Sequence, residues 1–296
     1  RRFTMAMYDG CEREIQASGL TLTYSAYGQD SAPTVIFAHG GGQTRYAWKG
    51  AARSLGQQGF YSIALDLRGH GDSEWAEDGD YSLEAFGRDL VSVAEQLSDG
   101  GPAPHIVGAS LGGLGAMVGA GMLQPKAFAS VTLVDITPNM EASGVAKIMG
   151  FMAEHSVDGF ATLEEAADVI AQYLPHRPRP KDLDGLRKNL RQGQDKRWRW
   201  HWDPAFIKGV MQRSTVARAG DLEQSVRNIT VPVHLVRGRM SELVSEASVK
   251  AFQDLLPQAH FTDVAGARHM VAGDNNDVFT TAVSNFLRQH SEGVEA

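Results

Sequence analysis

Gly108-Ala109-Ser110-Leu111-Gly112 stands where a short β-rich run, His105 to Val107, gives way to a stretch of helical character, Leu111 to Leu123. A strand that feeds straight into a helix must turn within a few residues, and only small neighbours tolerate the backbone crowding at that corner. The same geometry lifts the serine hydroxyl above the end of the sheet and leaves the positive end of a helix behind it. In a chain with 32 glycines the five-residue pattern alone is weak, and the plain alternative is a glycine-rich helix entry with Ser110 as its N-cap. The strand before it and the helix after it turn the pattern into a statement about fold, because such a sheet has to be covered by helices, as in the α/β class.

The rest of the chain carries the same alternation. Leu20 to Tyr27 reads as an early strand paired with the one before it. Thr34 to Ala38, Tyr61 to Leu65, His105 to Val107, Val131 to Val134, Val233 to Val236 and His260 to Val264 read as buried strands, each followed by a Gly, Asp or polar turn. Leu83 to Leu97, Leu111 to Leu123, Glu246 to Leu255 and Val278 to Gln289 carry helical patterns. Together they predict a mostly parallel sheet with helices on both faces. The rhythm breaks between about Pro138 and Val231, where the helical patch Leu163 to Tyr173, the prolines 175, 178 and 180 and several tryptophans occur without a strand. A strandless segment of about 90 residues is too long for a crossover and predicts a helical cap inserted over one end of the sheet. The expected organisation is a core of residues 1–137 and 232–296 with the cap at 138–231.

Composition narrows the classes. Hydrophobic residues at 43% and charged residues at 21% are ordinary for a globular chain, and no apolar run is long enough to span a bilayer. Arg1 to Gly10 reads as no export signal, so a soluble, cytoplasmic monomer or homodimer is expected, without membrane association. A net charge of −7 speaks against nucleic acid as a partner. The single cysteine, Cys11, excludes an internal disulfide and a multi-cysteine metal site. With no P-loop, complete G-x-G-x-x-G or H-E-x-x-H, neither cofactor nor metal is expected. One region departs from the acidic average: nine Lys or Arg against three Asp lie between Arg177 and Arg199. They read as a solvated helix face, or as a patch that steers an anionic substrate.

Two further motifs gather around Ser110. Ala38-His39-Gly40-Gly41-Gly42 follows a strand, and such a turn can aim a backbone N–H at an oxygen becoming negative. Gly41 is the candidate donor, with the N–H of Leu111 as the second. Gly266-Ala267-Arg268-His269-Met270 lies between the last strand and the final helical stretch, which makes His269 the candidate base for Ser110.

In order, FAHGGG at 37–42, LDLRGHGDS at 65–73, GASLGG at 108–113, VDITP at 134–138 and GARHM at 266–270 resemble the α/β-hydrolase superfamily over nearly the whole chain. The resemblance is greatest to bacterial capped esterases, lactonases and cofactor-free haloperoxidase-like hydrolases. It implies an α/β-hydrolase fold and a Ser, acid, His order, the acid standing in the loop after the strand that follows the cap. That loop offers Glu242 where relatives often carry Asp. Asp135 in VDITP is the alternative, and Glu242 is preferred because such an aspartate can equally be a structural turn residue. The resemblance also treats His39, Asp66, Arg68, His70 and Asp72 as groups that hold turns. Gln43, Arg45, Trp48, Trp198, Trp200 and Trp202 are candidates for the pocket, although a packed cap core explains the tryptophans equally well. The expected chemistry is cleavage of a small ester or lactone through an acyl-enzyme. Perhydrolysis, in which peroxide replaces water, carbon–carbon bond hydrolysis and a non-catalytic receptor are the alternatives; an intact Ser110/His269 pair speaks against the receptor.

Overall fold

The structure is a computed structural model that describes residues 6–175, 177–179, 182–213, 219–265 and 276–291. Its central strands are apolar runs buried on both sides, so alternate residues of one strand enter two different cores. In β3 (Thr34–Ala38), Val35 and Phe37 face one layer and Ile36 and Ala38 the other. The eight-stranded sheet begins with a hairpin of β1 (Met7–Ala17) and β2 (Leu20–Gln29), and β2 pairs antiparallel with β4 (Tyr61–Leu65). From β4 the order continues through β3, β5 (His105–Ala109), β6 (Val131–Val134), β9 (Val233–Gly238) and β10 (His260–Val264), all parallel.

Helices cover both faces. On one side α1 (Lys49–Gln57) and α9 (Asn276–Gln289) bring Ala52, Leu55, Phe279 and Val283 against Phe37, Val107 and Val236. On the other, α2 (Leu83–Ser98), α3 (Leu111–Val118), α7 (Ala219–Arg227) and α8 (Glu246–Leu255) bring Leu90, Met117, Val226 and Phe252 against Ile36, Ile106 and Leu235. The strand order reverses beside β3, so the loops after β3 and β5 leave the same sheet edge side by side, as at the switch point of open α/β sheets.

Two expectations need correction. The helix read as Leu111 to Leu123 is α-helical to Val118 and then widens into a π turn over Gly119–Leu123, where glycine supports regular helix poorly. The stretch read as strandless contains an antiparallel hairpin of β7 (Leu190–Gln192) and β8 (Trp198–Trp200), separate from the main sheet. Three-residue strands are too short to show a period of two in the sequence. The same segment holds α4 (Ala142–Ala153), α5 (Leu163–Tyr173) and α6 (Ala205–Arg213), and among its described residues it gives no strand to the main sheet. Among the described residues no helix is long and apolar enough to cross a membrane.

Candidate active site

The corner between β5 and α3 is built by backbone contact. A Cβ on Gly108 would lie 2.6 Å from the carbonyl carbon of Gly112, and one on Gly112 would lie 2.4 Å from the carbonyl oxygen of Ala38. Strand, helix and the loop after β3 therefore touch where these glycines stand. Ser110 sits at φ 46° and ψ −114°, a sparsely populated region for a residue with a side chain, at a cost of about 1–3 kcal/mol. Its N–H donates to Val134 O at 3.3 Å, and its carbonyl accepts from Leu114 N at 2.9 Å in the first turn of α3. Although Ser110 stands at the N-cap position, its side chain makes no capping hydrogen bond. The hydroxyl is thus partly exposed and not used to close the helix.

The loop after β3 comes up against it, since a Cβ on Gly40 would lie 3.3 Å from Ser110 Cβ. Gly112 N donates to His39 O at 3.1 Å, tying this loop to α3. Gly40 N–H is taken by Gln43 Oε1 at 3.0 Å and Gly42 N–H by His70 Nε2 at 3.0 Å. The Gly41 N–H, between them, has no hydrogen-bond partner among the described residues. Gly42 is held from both sides, because its carbonyl accepts from His201 Nε2 at 3.1 Å.

The buried histidines here are structural supports. His39 Nε2 accepts from Leu67 N at 3.0 Å, and His201 Nδ1 accepts from Gly71 N at 2.7 Å. A ring that accepts an amide N–H at one nitrogen carries its proton on the other and is neutral. Burial accordingly lowers His39, His70 and His201 to about 3. Of the two polar side chains read as facing the pocket, Gln43 lines it and Arg45 does not. Arg45 is buried, paired with Asp66, Asp72 and Glu12. Arg68 makes a bidentate pair with Asp89 at 2.6 and 2.7 Å. Asp66 and Asp72, like His39 and His70, are engaged in fixing the loops beside the sheet.

A cavity of about 550 Å³ opens over this corner, lined by Ser110, Gly40, Gly41, Gly42 and residues of α4, α5 and the β7–β8 region. Its apolar wall includes Ile148, Phe151, Met152 and the tryptophans 48, 200 and 202. Trp198 is not part of that lining; the Arg187 guanidinium stands 5.1 Å from its ring centroid. Lys147, Arg177, Lys188 and Glu242 supply the charged groups of the wall.

The two acid candidates occupy different settings. Asp135 directly follows β6, is fully buried and has φ 51°. Its Oδ1 accepts from Gly238 N at 3.2 Å and its Oδ2 from Ser241 Oγ at 2.6 Å. Glu242 lies in the loop after β9 with its side chain 53% exposed, accepting from Lys147 Nζ at 2.7 Å. His269 and the whole of 266–270 lie outside the described residues, beyond the carboxyl end of β10. Among the described residues no group of three His, Cys, Asp or Glu is arranged to hold a metal ion.

Sequence reasoning did not single out His201, and no local signal marks it, because both its partners are far along the chain. Comparison with known proteins adds the wider context. A family profile described as alpha/beta hydrolase fold matches residues 33–275. The chain is 34% identical over 220 residues to esterase Rv0045c of Mycobacterium tuberculosis, covering 73% of this chain and 69% of that one. It is 27% identical over 278 residues to 2-(acetamidomethylene)succinate hydrolase of Mesorhizobium japonicum, covering 93% and 94%. A solved structure of an E-2-(acetamidomethylene)succinate hydrolase superposes with a TM-score of 0.80 at 25% identity, over 94% of this chain and 99% of that one. A pimeloyl-[acyl-carrier protein] methyl ester esterase of Aeromonas salmonicida is 27% identical over 279 residues, 90% of this chain and 100% of its own length.

Proposed function

The chain belongs to the alpha/beta hydrolase fold family, and from that premise we propose that it is a serine hydrolase cleaving a small ester or lactone through an acyl-enzyme on Ser110. The observation that carries this reading is Ser110 itself, held in a costly backbone conformation with its hydroxyl free of helix capping and lining a cavity beside Gly41. Fold alone supports many chemistries, and the relatives named above act on different substrates by their names, so the argument rests on the site.

Ser110 Oγ attacks the substrate carbonyl while His269 takes its proton. The oxygen that becomes negative accepts from the N–H groups of Gly41 and Leu111, the latter at the start of α3 where the helix end favours negative charge. His269 returns the proton to the leaving group, and water activated by the same imidazole then releases the acid. Residues 138–231 act as the cap: they carry α4, α5 and the β7–β8 hairpin, whose side chains line the cavity over Ser110. For the triad acid we favour Asp135 over Glu242. Its burial and its two donors, Gly238 N and Ser241 Oγ, support a fixed carboxylate, whereas Glu242 is half-exposed and engaged with Lys147.

Ser110→Ala tests the reading. Turnover of a short acyl ester should fall by about 10³-fold or more while the thermal midpoint stays within a few degrees, since triad knockouts retain only binding and oxyanion stabilisation. A fluorophosphonate should label the parent and not the variant. Labelling of another serine, or retained turnover, would overturn the assignment.

A further inference from the structure

Seven of the nine basic residues between Arg177 and Arg199 fall into two groups. Arg179 pairs with Asp168 at 2.7 Å, Arg187 with Asp184 at 3.3 Å, Arg191 with Asp72 at 2.9 Å and Arg199 with Asp195 at 2.7 Å. Arg197 donates to the carbonyls of Asp158 and Gly159 at 2.6 and 3.1 Å. These five point to the surface or the chain itself. Arg177 and Lys188 line the cavity.

Lys188 has no carboxylate partner among the described residues, and its ammonium stands 4.7 Å from the ring centroid of Tyr46. The guanidinium of Arg45 is 4.6 Å from the same ring, so two cations flank one aromatic group that itself lines the cavity. Tyr46 Oη accepts from Arg45 Nη2 at 3.0 Å, which leaves the phenolic proton to be donated elsewhere. Counting charges in the lining gives Lys147, Arg177 and Lys188 against Glu242 alone, an excess of positive charge on a chain of formal charge −7. The charged part of this wall is therefore mostly cationic, the chemistry that receives an anion.

We propose that Lys188 and Tyr46 form a subsite for a substrate carboxylate, so that the natural substrate is an anionic ester of the dicarboxylic half-ester class. The apolar wall of Ile148, Phe151 and Met152 would take the carbon chain between that carboxylate and the carbonyl at Ser110. This rests on reading Ser110 as the nucleophile. Because Lys188 is exposed, the discrimination it confers is moderate and screened by salt.

The experiment compares 4-nitrophenyl hydrogen adipate with 4-nitrophenyl heptanoate, which differ at the far end of the acyl chain. At about 0.01 M salt the ratio of their kcat/KM values should favour the adipate, and it should fall by roughly 3–10-fold in Lys188→Met and again as salt rises to about 0.5 M. Lys188→Glu should lower the ratio further. A second arm needs no turnover: Ser110→Ala is titrated with monoethyl adipate and with ethyl heptanoate, read by tryptophan fluorescence, since tryptophans 48, 200 and 202 line the cavity. Tighter, salt-sensitive binding of the adipate that weakens when Lys188→Met is added supports the subsite even if the nucleophile is another residue. Equal binding of the two esters, indifferent to salt and to Lys188, overturns it even if Ser110 proves catalytic.

Discussion

A carboxylate that sets the tautomer of a catalytic imidazole has to be rigidly held, and Asp135 and Glu242 differ in how they are held. Asp135 accepts a backbone N–H and a hydroxyl in a fully buried setting, while Glu242 shares an exposed ion pair with Lys147. Asp135→Asn should lower kcat by about 10³–10⁴-fold, the scale seen when a triad acid loses its charge, with a loss of roughly 1–2 kcal/mol of stability from weakened hydrogen bonds. Glu242→Gln weakens an exposed pair worth about 0–1 kcal/mol and should leave kcat within a few-fold. Steady-state kinetics and urea melts of the two variants decide the matter, and the opposite pattern restores Glu242. The sequence order of motifs led to the loop holding Glu242, because order along the chain carries no information on burial. The positions of Ser110 and Gly41 beside the cavity were legible for the opposite reason: a strand-to-helix corner and a glycine turn are local patterns. His201 was not, since it meets Gly71 and Gly42 across 130 and 159 positions.

At the level of elements, the sheet could be read from the sequence because its central strands are buried on both faces and appear as mostly apolar, β-branched-rich runs. Helices that pack through small residues were harder. α1, for example, buries only Ala51, Ala52 and Leu55, so it shows no broad apolar stripe. The β5–α3 corner makes the sharpest demand on an element. In Gly112→Ala the new methyl would meet Ala38 O at 2.4 Å, so helix and strand must part, at a cost of about 1–3 kcal/mol or more, and Ser110 must shift with them. Activity should fall along with stability. Gly150, inside α4, has nothing within 4 Å of where its Cβ would stand. Gly150→Ala should therefore stabilise by about 0.4–1 kcal/mol through the lower entropy of the unfolded chain. Thermal melts of the pair give the check: equal effects of the two substitutions would mean that the corner is not packed as closely as the structure has it.

Across the whole molecule, buried histidines couple the fold to pH. His39, His70 and His201 beside the cavity are held at about 3, and His105 and His234 within the sheet at about 4, in each case chiefly because burial disfavours the charged ring. In the unfolded chain each returns to roughly 6.5. Since the folded values are the lower ones, the unfolded state binds more protons between these limits; the histidine contribution to stability is complete above about pH 6.5 and is lost as pH falls toward 4 and then 3. Burial pushes Asp66 and Asp89 upward, which acts in the opposite direction, but they are two groups against five. Each histidine can contribute a slope of about 1.4 kcal/mol per pH unit inside its window, and a domain's total stability is only about 5–15 kcal/mol. The thermal midpoint should thus be nearly level from pH 8 to 7 and drop steeply between pH 6.5 and 5, where the loops that hold Gly42 and the interior of the sheet are strained together. Melts across that range would contradict this if the midpoint at pH 5 equalled that at pH 7. The drop should shrink in His105→Gln, which removes one titrating ring while keeping a group able to bond Ser130 Oγ, now 2.7 Å from Nδ1.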